Sequence, residues 1–424
     1  MFCPIFSIFA FIFKAMGFIT FIGKRFVRIR KGSFSAPVIR IATAGISLSV
    51  AVMVVSIVIV KGFQLEIRNK VIGFSGHVLI KPFQMSAVEQ QQSFQYDRAD
   101  IQSLREEIKG IISIQPTAEK AGIIKTDDQM EGCIFKGVNK DYYKDFIDAS
   151  IVEGKFPLIT NDSVSNEIII SRITADRLDF EVGDALRMYF LLPGEQQPRG
   201  RKFLITGIFD TGLSEFDKKY MFGDIGHLQQ LNGWESNESG VVEIFIDNYA
   251  NIEYTVRKAS QILHYDVEVW DVRELYPDIF NWLDLLDMNV NVIIIVMLIV
   301  ALINIITILL IRILEKTTAI GILKSAGASN GKIRKIFLYI SSVILIRGMI
   351  IGNLIGFVLA FLQKYLHIIT LDQDIYYVSS VPITFDIPYL LLINVLVFAS
   401  GVFVMLVPSL IISRIYPART LRLK

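Results

Sequence analysis

The sequence has few of the residues that catalysis, metal binding and disulfide bonding require. Its 424 residues include two cysteines and four histidines. The histidines lack the close spacing of metal ligands and are His77, His227, His264 and His367. Cys3 and Cys133 flank the first long apolar run, so they are expected on opposite sides of a membrane and predict no disulfide. We therefore expect no catalytic residue and no metal site.

A phosphate-binding loop is also missing. The nearest segment, GASNGKI from Gly327, has three residues between its glycines where the motif has four. Ile333 stands at the position where serine or threonine would bind magnesium. We therefore expect that this chain does not hydrolyse ATP itself.

The composition is that of a membrane protein. Hydrophobic residues make up 52% of the chain and the mean hydropathy is +0.49, above the usual range of soluble domains. A bilayer core needs roughly 20 apolar residues of helix. Four runs reach this length, and they predict transmembrane helices at residues 41–61, 288–311, 336–363 and 387–413.

The positions of the charged residues predict the orientation. Lysine and arginine collect in residues 1–40, in the connector 312–335 and in the tail 414–424, which are therefore predicted to be cytoplasmic, with both termini inside. Residues 62–287 hold 37 acidic and 23 basic residues, a net charge of −14. This stretch is predicted to be a soluble extracytoplasmic domain, and residues 364–386 a short external loop. The net charge of the whole chain gives no indication of nucleic-acid binding.

The N-terminal residues raise two further expectations. MFCPIFSIFAFIFKAMGF lacks the basic region and cleavage site of a signal peptide, so no cleavage is expected, and Met16 is an alternative start. The following FITFIGKRFVRIRKGSF combines aromatic and basic residues, as in a helix that lies in the headgroup plane. The other interpretation is a frayed tail.

The external domain is predicted to mix helices and strands. VLIKPF, CIFKGV, ALRMYFLL, FLITGIF and VEVW are typical of strands, while SRITADRL and residues 252–263 are typical of helices. Val182-Gly183-Asp184 predicts a turn. PGEQQPRGRK predicts a polar hairpin tip, since its two prolines disfavour continuous strand.

The connector EKTTAIGILKSAGASNGKIRKIF predicts a docking element. Written as a helix from Lys316, it sets Ala319, Ile322, Leu323 and Ala326 on one face, with Ile320 beside them. Gly327 can end this helix and Ser329 can cap the next. The alternative is an interfacial loop whose apolar face rests on lipid.

Arg347 is a charge inside the third apolar run, about 16 Å from its cytoplasmic edge at a rise of 1.5 Å per residue. Such a residue faces the bundle interior or an aqueous cavity, or it snorkels to the interface. Both interpretations remain open from the sequence.

Several motifs together carry a family resemblance. EKTTAIGILKSAGAS followed by IRKIF, and the ending LVPSLIISRIYPARTLR, resemble the FtsX/MacB-type ABC transporter permeases. Within that superfamily, KRFVRIRKGSFSAPVIRIATAGISLSV, PRGRKFLITGIFDTGLSEFD and LDQDIYYVSSVPITFD resemble the lipoprotein-releasing, LolC/LolE-type permeases. One departure is Ala319, where many members carry an acidic residue.

The resemblance implies an α-helical membrane protein with four transmembrane helices and a large α+β periplasmic domain between helices 1 and 2. It implies a permease in the bacterial inner membrane, paired with a second permease chain as a homodimer or heterodimer and with separate ABC ATPase subunits that bind ATP and magnesium. It would extract lipoproteins and pass them to a periplasmic carrier. The alternative is an FtsX-like regulator of periplasmic cell-wall hydrolases.

Three groups of residues receive roles from this resemblance. The ATPase-coupling segment is Ala319, Ile320, Gly321, Ile322, Leu323, Lys324, Gly327 and Ala328. The carrier-binding hairpin, 191–202, offers Leu191, Leu192, Pro193, Pro198, Arg199, Arg201 and Lys202. The substrate seat between the external ends of the first two spans is Ile57, Val60, Leu286, Val290 and Ile293, each of which could equally be an ordinary packing residue.

Overall fold

The computed structural model describes residues 17, 35–83, 92–192 and 197–410. The predicted interfacial helix, the cytoplasmic tail and Pro193 lie outside these residues. The described chain divides into two compact units. The helical bundle contains the described residues up to Phe63, Asp284–Ile369 and those from Val381 onward, and the sheet domain contains Gln64–Leu283 and Thr370–Ser380.

The structure confirms a mixed α and β chain with four long helices. In chain order the α-helices are α1 Ser35–Ser75, α2 Ala99–Glu107, α3 Asp145–Ser150, α4 Arg172–Leu178, α5 Ser214–Asp217, α6 Gly226–Asn232, α7 Ile252–Ile262, α8 Val272–Leu275, α9 Pro277–Glu315, α10 Thr317–Ser325, α11 Asn330–Leu366, α12 Gln373–Tyr376 and α13 Ile387–Ser409. The strands are β1 Val78–Pro82, β2 Phe94–Gln95, β3 Ile111–Lys125, β4 Met130–Val138, β5 Ile151–Gly154, β6 Glu167–Ser171, β7 Ala185–Phe190, β8 Arg199–Phe209, β9 Tyr220–Asp224, β10 Glu238–Ser239, β11 Val241–Ile246 and β12 Val267–Asp271.

Four of these helices are long and apolar enough to cross a membrane, namely α1, α9, α11 and α13. The first three extend well beyond the apolar runs. Helix α1 continues past Lys61 because Ile67, Val71 and Phe74 keep a helical spacing of apolar residues, and all three are buried. Polar residues between them end the hydropathy signal but not the helix.

A stripe of glycines brings α11 against α1 in the bundle. Gly348, Gly352 and Gly356 recur every four residues on one face of α11. A Cβ atom on Gly352 would lie 2.5 Å from the Ser47 carbonyl oxygen, and one on Gly348 would lie 2.7 Å from Cγ2 of Ile46. Only glycine permits this approach, which is the small-residue packing that membrane helices use in place of a hydrophobic driving force.

A pair of asparagines joins α11 to α13. The Asn353 Nδ2 donates to Asn394 Oδ1 at 2.7 Å, and Asn394 Nδ2 donates to Asn353 Oδ1 at 3.1 Å. Each amide also donates to the carbonyl four residues earlier in its own helix. The polar groups are thus satisfied inside an apolar bundle, where an unpaired amide would be costly.

The sheet domain is organised around a closed ring of strands. Strands β3, β4, β9, β6, β8 and β7 pair in that order, and β7 pairs back to β3. Large side chains such as Phe135, Phe190 and Phe203 are fully buried in one cluster inside this ring. Strands β11, β1 and β12 extend the sheet from β3, and β5 adds to β8. The strands and helices expected at these positions are therefore confirmed.

A buried ion pair lies at the end of α1 within the sheet domain. Lys136 Nζ on β4 contacts Glu243 Oε1 on β11 at 2.7 Å, and their side chains are 0% and 2% exposed. The same ammonium donates to the Phe74 carbonyl oxygen at 2.6 Å. Gln115 Nε2 donates to the other oxygen of Glu243 at 3.0 Å. Each oxygen of the carboxylate therefore has a donor, as a buried charge requires.

Residues Thr370–Ser380, from the loop predicted to be external, belong to the sheet domain by their contacts. Gln373 Nε2 donates to Asp210 Oδ1 at 3.2 Å, and Lys70 Nζ donates to the Tyr377 carbonyl oxygen at 3.1 Å. Tyr377 has a φ of 60°, and its hydroxyl donates to Glu215 Oε1 at 3.3 Å. These contacts fix the loop to the sheet domain.

Candidate functional site

The predicted coupling segment forms a short helix between α9 and α11. Helix α10 runs from Thr317 to Ser325, after a break at Lys316. Its end is the one expected: Gly327 has a φ of 86°, and the Ala328 amide donates to the Leu323 carbonyl at 2.9 Å. Ser329 Oγ then accepts from the Lys332 amide at 3.4 Å and caps α11.

The two faces of α10 differ in exposure. Ile320 is fully buried and Gly321 is buried, so this face packs into the bundle. The opposite face presents Ile322, which is 54% exposed, together with exposed Thr318 and Ala326. Ala319, Leu323, Lys324 and Ala328 are half-buried. Ile320 was expected as a contact for a partner, but its burial assigns it to the internal face. Ile322 is the large apolar side chain that α10 exposes most.

The predicted carrier hairpin is shorter than expected. Phe190 on β7 pairs with Arg199 on β8, so the connection comprises residues 191–198 and the basic residues after it lie in a strand. Leu191 is 62% exposed, but Leu192 is only 8% exposed. Leu192 therefore packs within the domain and is not available as an apolar contact. Pro198 is exposed.

Like charges face each other across this hairpin. Arg187 on β7 is directly opposite Lys202 on β8, and both are exposed. Neither side chain forms an ion pair with any residue that the structure describes. Cations directly opposite each other destabilise a strand pair. Arg201 and Arg199 follow on β8, but side chains alternate along a strand, so these two lie on the opposite face, with the buried Met188 and Phe190. The pair Arg187 and Lys202 therefore forms the basic face, which sequence inspection, having omitted Arg187, only partly located.

The five predicted seat residues do not share one environment. Ile57, Val60 and Val290 are 1%, 8% and 6% exposed, so they pack inside the bundle of a single chain. Leu286 is half-buried, and Ile293 is 37% exposed. Only the last two have surface that a substrate could contact without movement of the helices.

Near these residues, the bundle is held by polar contacts. Lys61 Nζ lies 3.5 Å from Asp287 Oδ1 and 5.4 Å from the centre of the Tyr389 ring. The Thr384 amide donates to the Val58 carbonyl oxygen at 3.2 Å, and a Cβ on Gly62 would lie 2.1 Å from the Pro382 carbonyl oxygen. The segment after Val381 is thus packed tightly on α1.

Arg347 lies on the wall of a cavity in the bundle, beside α1 and α9, and its side chain is exposed. Arg312, which sequence inspection counted only as an orienting charge, lines the same cavity and is 3% exposed. Its distance from Arg347 in sequence left no local signal that the two would meet at one cavity.

Comparisons with known proteins agree with this architecture. Residues 41–261 match the family model of the MacB-like periplasmic core domain, and residues 291–417 match that of the FtsX-like permease C-terminal region. The chain is 22% identical over 418 residues to the lipoprotein-releasing system transmembrane protein LolC of Neisseria meningitidis, covering 95% of this chain and 98% of that protein.

Two further relatives cover the same length. LolC of Xylella fastidiosa is 21% identical over 95% of this chain and 98% of its own, and LolE of Haemophilus influenzae is 22% identical over the same shares. The first family model covers most of α1 and much of the sheet domain, and the second covers the other three long helices, which is the expected order. The chain therefore belongs to the FtsX/MacB-type ABC transporter permeases, in the LolC/LolE branch.

Proposed function

We propose that this chain is the membrane subunit of an ABC transporter that uses ATP hydrolysis on a separate ATPase subunit to release lipoproteins from the inner membrane. The lipoprotein would then pass to a periplasmic carrier. The similarity to LolC and LolE over 95% of the chain supports the substrate class. Each buried CH₂ of an acyl chain contributes about 0.8 kcal/mol, so extraction of several chains requires coupling to ATP.

The observation that carries the proposal is the exposed face of α10. A short helix with one face packed in the bundle and an apolar residue on the other can transmit movement of a docked partner. Ile322 would enter an apolar groove of the ATPase, with Leu323 beside it and Lys324 at the rim. ATP and magnesium would bind to that partner, on the cytoplasmic side that the basic connector predicts.

Ile322→Asp tests this docking directly. The side chain is 54% exposed, so the change should leave the bundle folded while placing a charge in an apolar contact. We expect ATPase subunits to dissociate from the purified complex and ATP-dependent release to stop. Leu323→Asp should have a smaller effect of the same kind, since that side chain is half-buried.

Asn330→Asp is the matched control, because Asn330 is exposed in the first turn of α11 and gains the same charge. It should retain the ATPase subunits. A complex of the Ile322→Asp variant that assembles and releases lipoprotein at the normal rate would exclude docking through α10.

Transmission to the periplasmic side would use the long helices. Helices α1 and α9 are continuous over 41 and 39 residues, which is about 60 Å each at 1.5 Å per residue. Displacement of one end of a continuous helix is carried to the other. A second permease chain, identical or related, would supply the other half of the transporter.

The basic hairpin is the proposed carrier contact. Arg187 and Lys202 face each other without an ion-pair partner among the described residues, and an acidic carrier would relieve their repulsion. The double variant Arg187→Gln/Lys202→Gln should weaken carrier binding and its salt dependence. Arg257→Gln/Lys258→Gln on α7 removes the same charge elsewhere and should not. Equal carrier binding by both variants would move the contact away from the hairpin.

Helix α9 also offers a sharp test of the substrate seat. A photocrosslinker at Ile293 should trap lipoprotein before ATP is added, because that side chain is 37% exposed. Ile295 is 57% exposed and two residues away, which places it on nearly the opposite side of the helix, and it should trap only lipid. Trapping at Ile295 but not at Ile293 would contradict the proposed seat.

A further inference from the structure

The cavity at Arg347 combines three cations with an apolar wall. It has a volume of about 430 Å³ and is lined by residues of α1, α9 and α11. Its charged lining residues in the described part of the chain are Arg40, Arg312 and Arg347, all of them basic. The remaining wall is mostly aliphatic and includes Leu48, Ala51, Ile351 and Ile355.

The polar groups of the wall are unequally satisfied. Thr43 Oγ1 donates to the Ile39 carbonyl at 2.7 Å and Ser47 Oγ donates to the Thr43 carbonyl at 2.9 Å, so both hydroxyls have partners in their own helix. Arg312 Nη1 contacts Glu315 Oε2 at 3.3 Å, but its buried Nε has no acceptor among the residues that the structure describes. Arg347 makes no hydrogen bond or ion pair with any described residue.

The carboxylate of Glu315 does not neutralise the three arginines. Glu315 is shared between Arg312 and Lys316, whose Nζ lies 3.2 Å from Glu315 Oε1. Arg40 and Arg347 are left with no acidic partner in the described part of the chain. A guanidinium in a transmembrane segment normally has such a partner or faces water. The charge of the cavity wall is therefore positive among the described residues.

The dimensions of the cavity match one leaflet of a bilayer. From Arg40 to Ala51 helix α1 rises about 16 Å, close to half of a hydrocarbon core of about 30 Å. The wall is open on the outer surface of the bundle, since Leu48 is 65% exposed and Ile355 is 42% exposed. The arginines thus begin at the end of α1 that the basic flanks assign to the cytoplasm, and the aliphatic residues continue toward the bilayer centre.

We propose that this cavity binds one anionic glycerophospholipid of the cytoplasmic leaflet. Its phosphate lies between Arg312 and Arg347, where planar guanidinium groups can each donate two hydrogen bonds. Arg40 lies at the outer edge of the headgroup, and one acyl chain follows Leu48, Ala51, Ile351 and Ile355. The lipid completes the contact between α1 and α11 and supplies the acceptor that Arg312 Nε lacks. This site is at the opposite membrane face from the proposed substrate seat.

The test is lipid retention by the full-length protein. The chain, purified from nanodiscs containing phosphatidylcholine and phosphatidylglycerol, is released in the mass spectrometer and its bound lipids are counted. We expect one phosphatidylglycerol per chain in preference to phosphatidylcholine. Arg347→Gln should lower this retention about tenfold, as expected for loss of a charged hydrogen-bonding partner. Lys332→Gln removes an exposed cation outside the cavity and should have no effect.

Two variants separate the lipid from a general charge effect. Ala44→Phe fills the wall with every arginine intact, since Ala44 is exposed and lines the cavity, and it should also lower retention. Arg347→Lys should keep most of it. If Arg347→Gln and Ala44→Phe both retain as much phosphatidylglycerol as the unchanged protein, the proposal is wrong.

Two further measurements distinguish the lipid from other possible occupants of the cavity. Inorganic phosphate at millimolar concentration should not displace the lipid, because it lacks the acyl chain, and displacement would identify a simple anion site. A photocrosslinker at Leu48 should trap phosphatidylglycerol. If it traps a second permease chain, a protein carboxylate occupies the cavity and the lipid proposal fails. None of these measurements requires ATPase coupling or lipoprotein release, so their result is independent of the proposed function.

Discussion

Replacing Lys136 with methionine should destabilise the sheet domain by about 4 kcal/mol. The ammonium is 0% exposed and contacts Glu243 at 2.7 Å. It also donates to the Phe74 carbonyl at 2.6 Å and lies 4.7 Å from the centre of the Phe74 ring. Methionine keeps the length and the apolar stem of the side chain. The loss of stability therefore comes from the missing charge and its hydrogen bonds and not from a cavity.

The magnitude follows from the groups left behind. Breaking a buried ion pair by removing one partner costs about 3–5 kcal/mol, because Glu243 remains charged, with the neutral Gln115 and Thr117 as its side-chain donors among the described residues. The Phe74 carbonyl also loses a donor. A domain with the usual 5–15 kcal/mol of stability would lose a large part of it.

Amide hydrogen exchange on the full-length protein in detergent measures this loss. Protection of β4 and β11 should fall by about three orders of magnitude, since 1.4 kcal/mol corresponds to a factor of ten. Glu243→Gln alone should lower the free energy of unfolding by less than Lys136→Met does. The double variant should lose clearly less than the sum of the two single losses, because no uncompensated charge remains.

Lys120→Met is the control, since Lys120 Nζ on the neighbouring strand donates to the neutral Asn232 Oδ1 at 2.8 Å. It should cost about 1 kcal/mol. The buried pair does not contribute as described if Lys136→Met lowers the free energy of unfolding by no more than Lys120→Met does. The same holds if the losses from the changes at Lys136 and Glu243 are additive.

Three further predictions concern other contacts. Burial raises the pKa of Asp217 from 3.8 to about 6, so the folded protein holds this proton more tightly than the unfolded chain and its stability falls as the pH rises from about 4 to 6. Asp217→Asn should flatten this fall when stability is measured by hydrogen exchange, and an unchanged slope would contradict it. Gly352→Leu should lower the melting temperature of the full chain by several degrees through overpacking against α1. Asn394→Leu should cost about 1 kcal/mol, and adding Asn353→Leu should recover part of it; no recovery would refute the reciprocal bond.

The elements that could be predicted from sequence are those with a local signal. Strand β1 follows from a short apolar run and helix α4 from helical periodicity, and the end of α10 follows from Gly327, whose φ is 86°. The coupling face was predicted only in part. A helix wheel gives the apolar residues of α10 but does not say that the bundle covers Ile320 and leaves Ile322 exposed.

Other features depend on partners far along the chain. Lys136 is separated from Glu243 by more than a hundred residues, and nothing near either residue indicates that both are buried. The cavity likewise needs Arg312 and Arg347 from different helices. The repeat of Gly348, Gly352 and Gly356 at every fourth residue is present in the sequence, but it does not identify the helix that packs on it.

The central claim is that ATP hydrolysis on a partner drives lipoprotein release through this chain. Its most direct test is reconstitution of the chain with its ATPase subunit and a second permease chain in liposomes that contain a triacylated lipoprotein, with a soluble carrier outside. The account predicts that lipoprotein appears on the carrier only with ATP and that release stops with Ile322→Asp. ATP turnover by the complete complex without any transfer of lipoprotein to the carrier would contradict it.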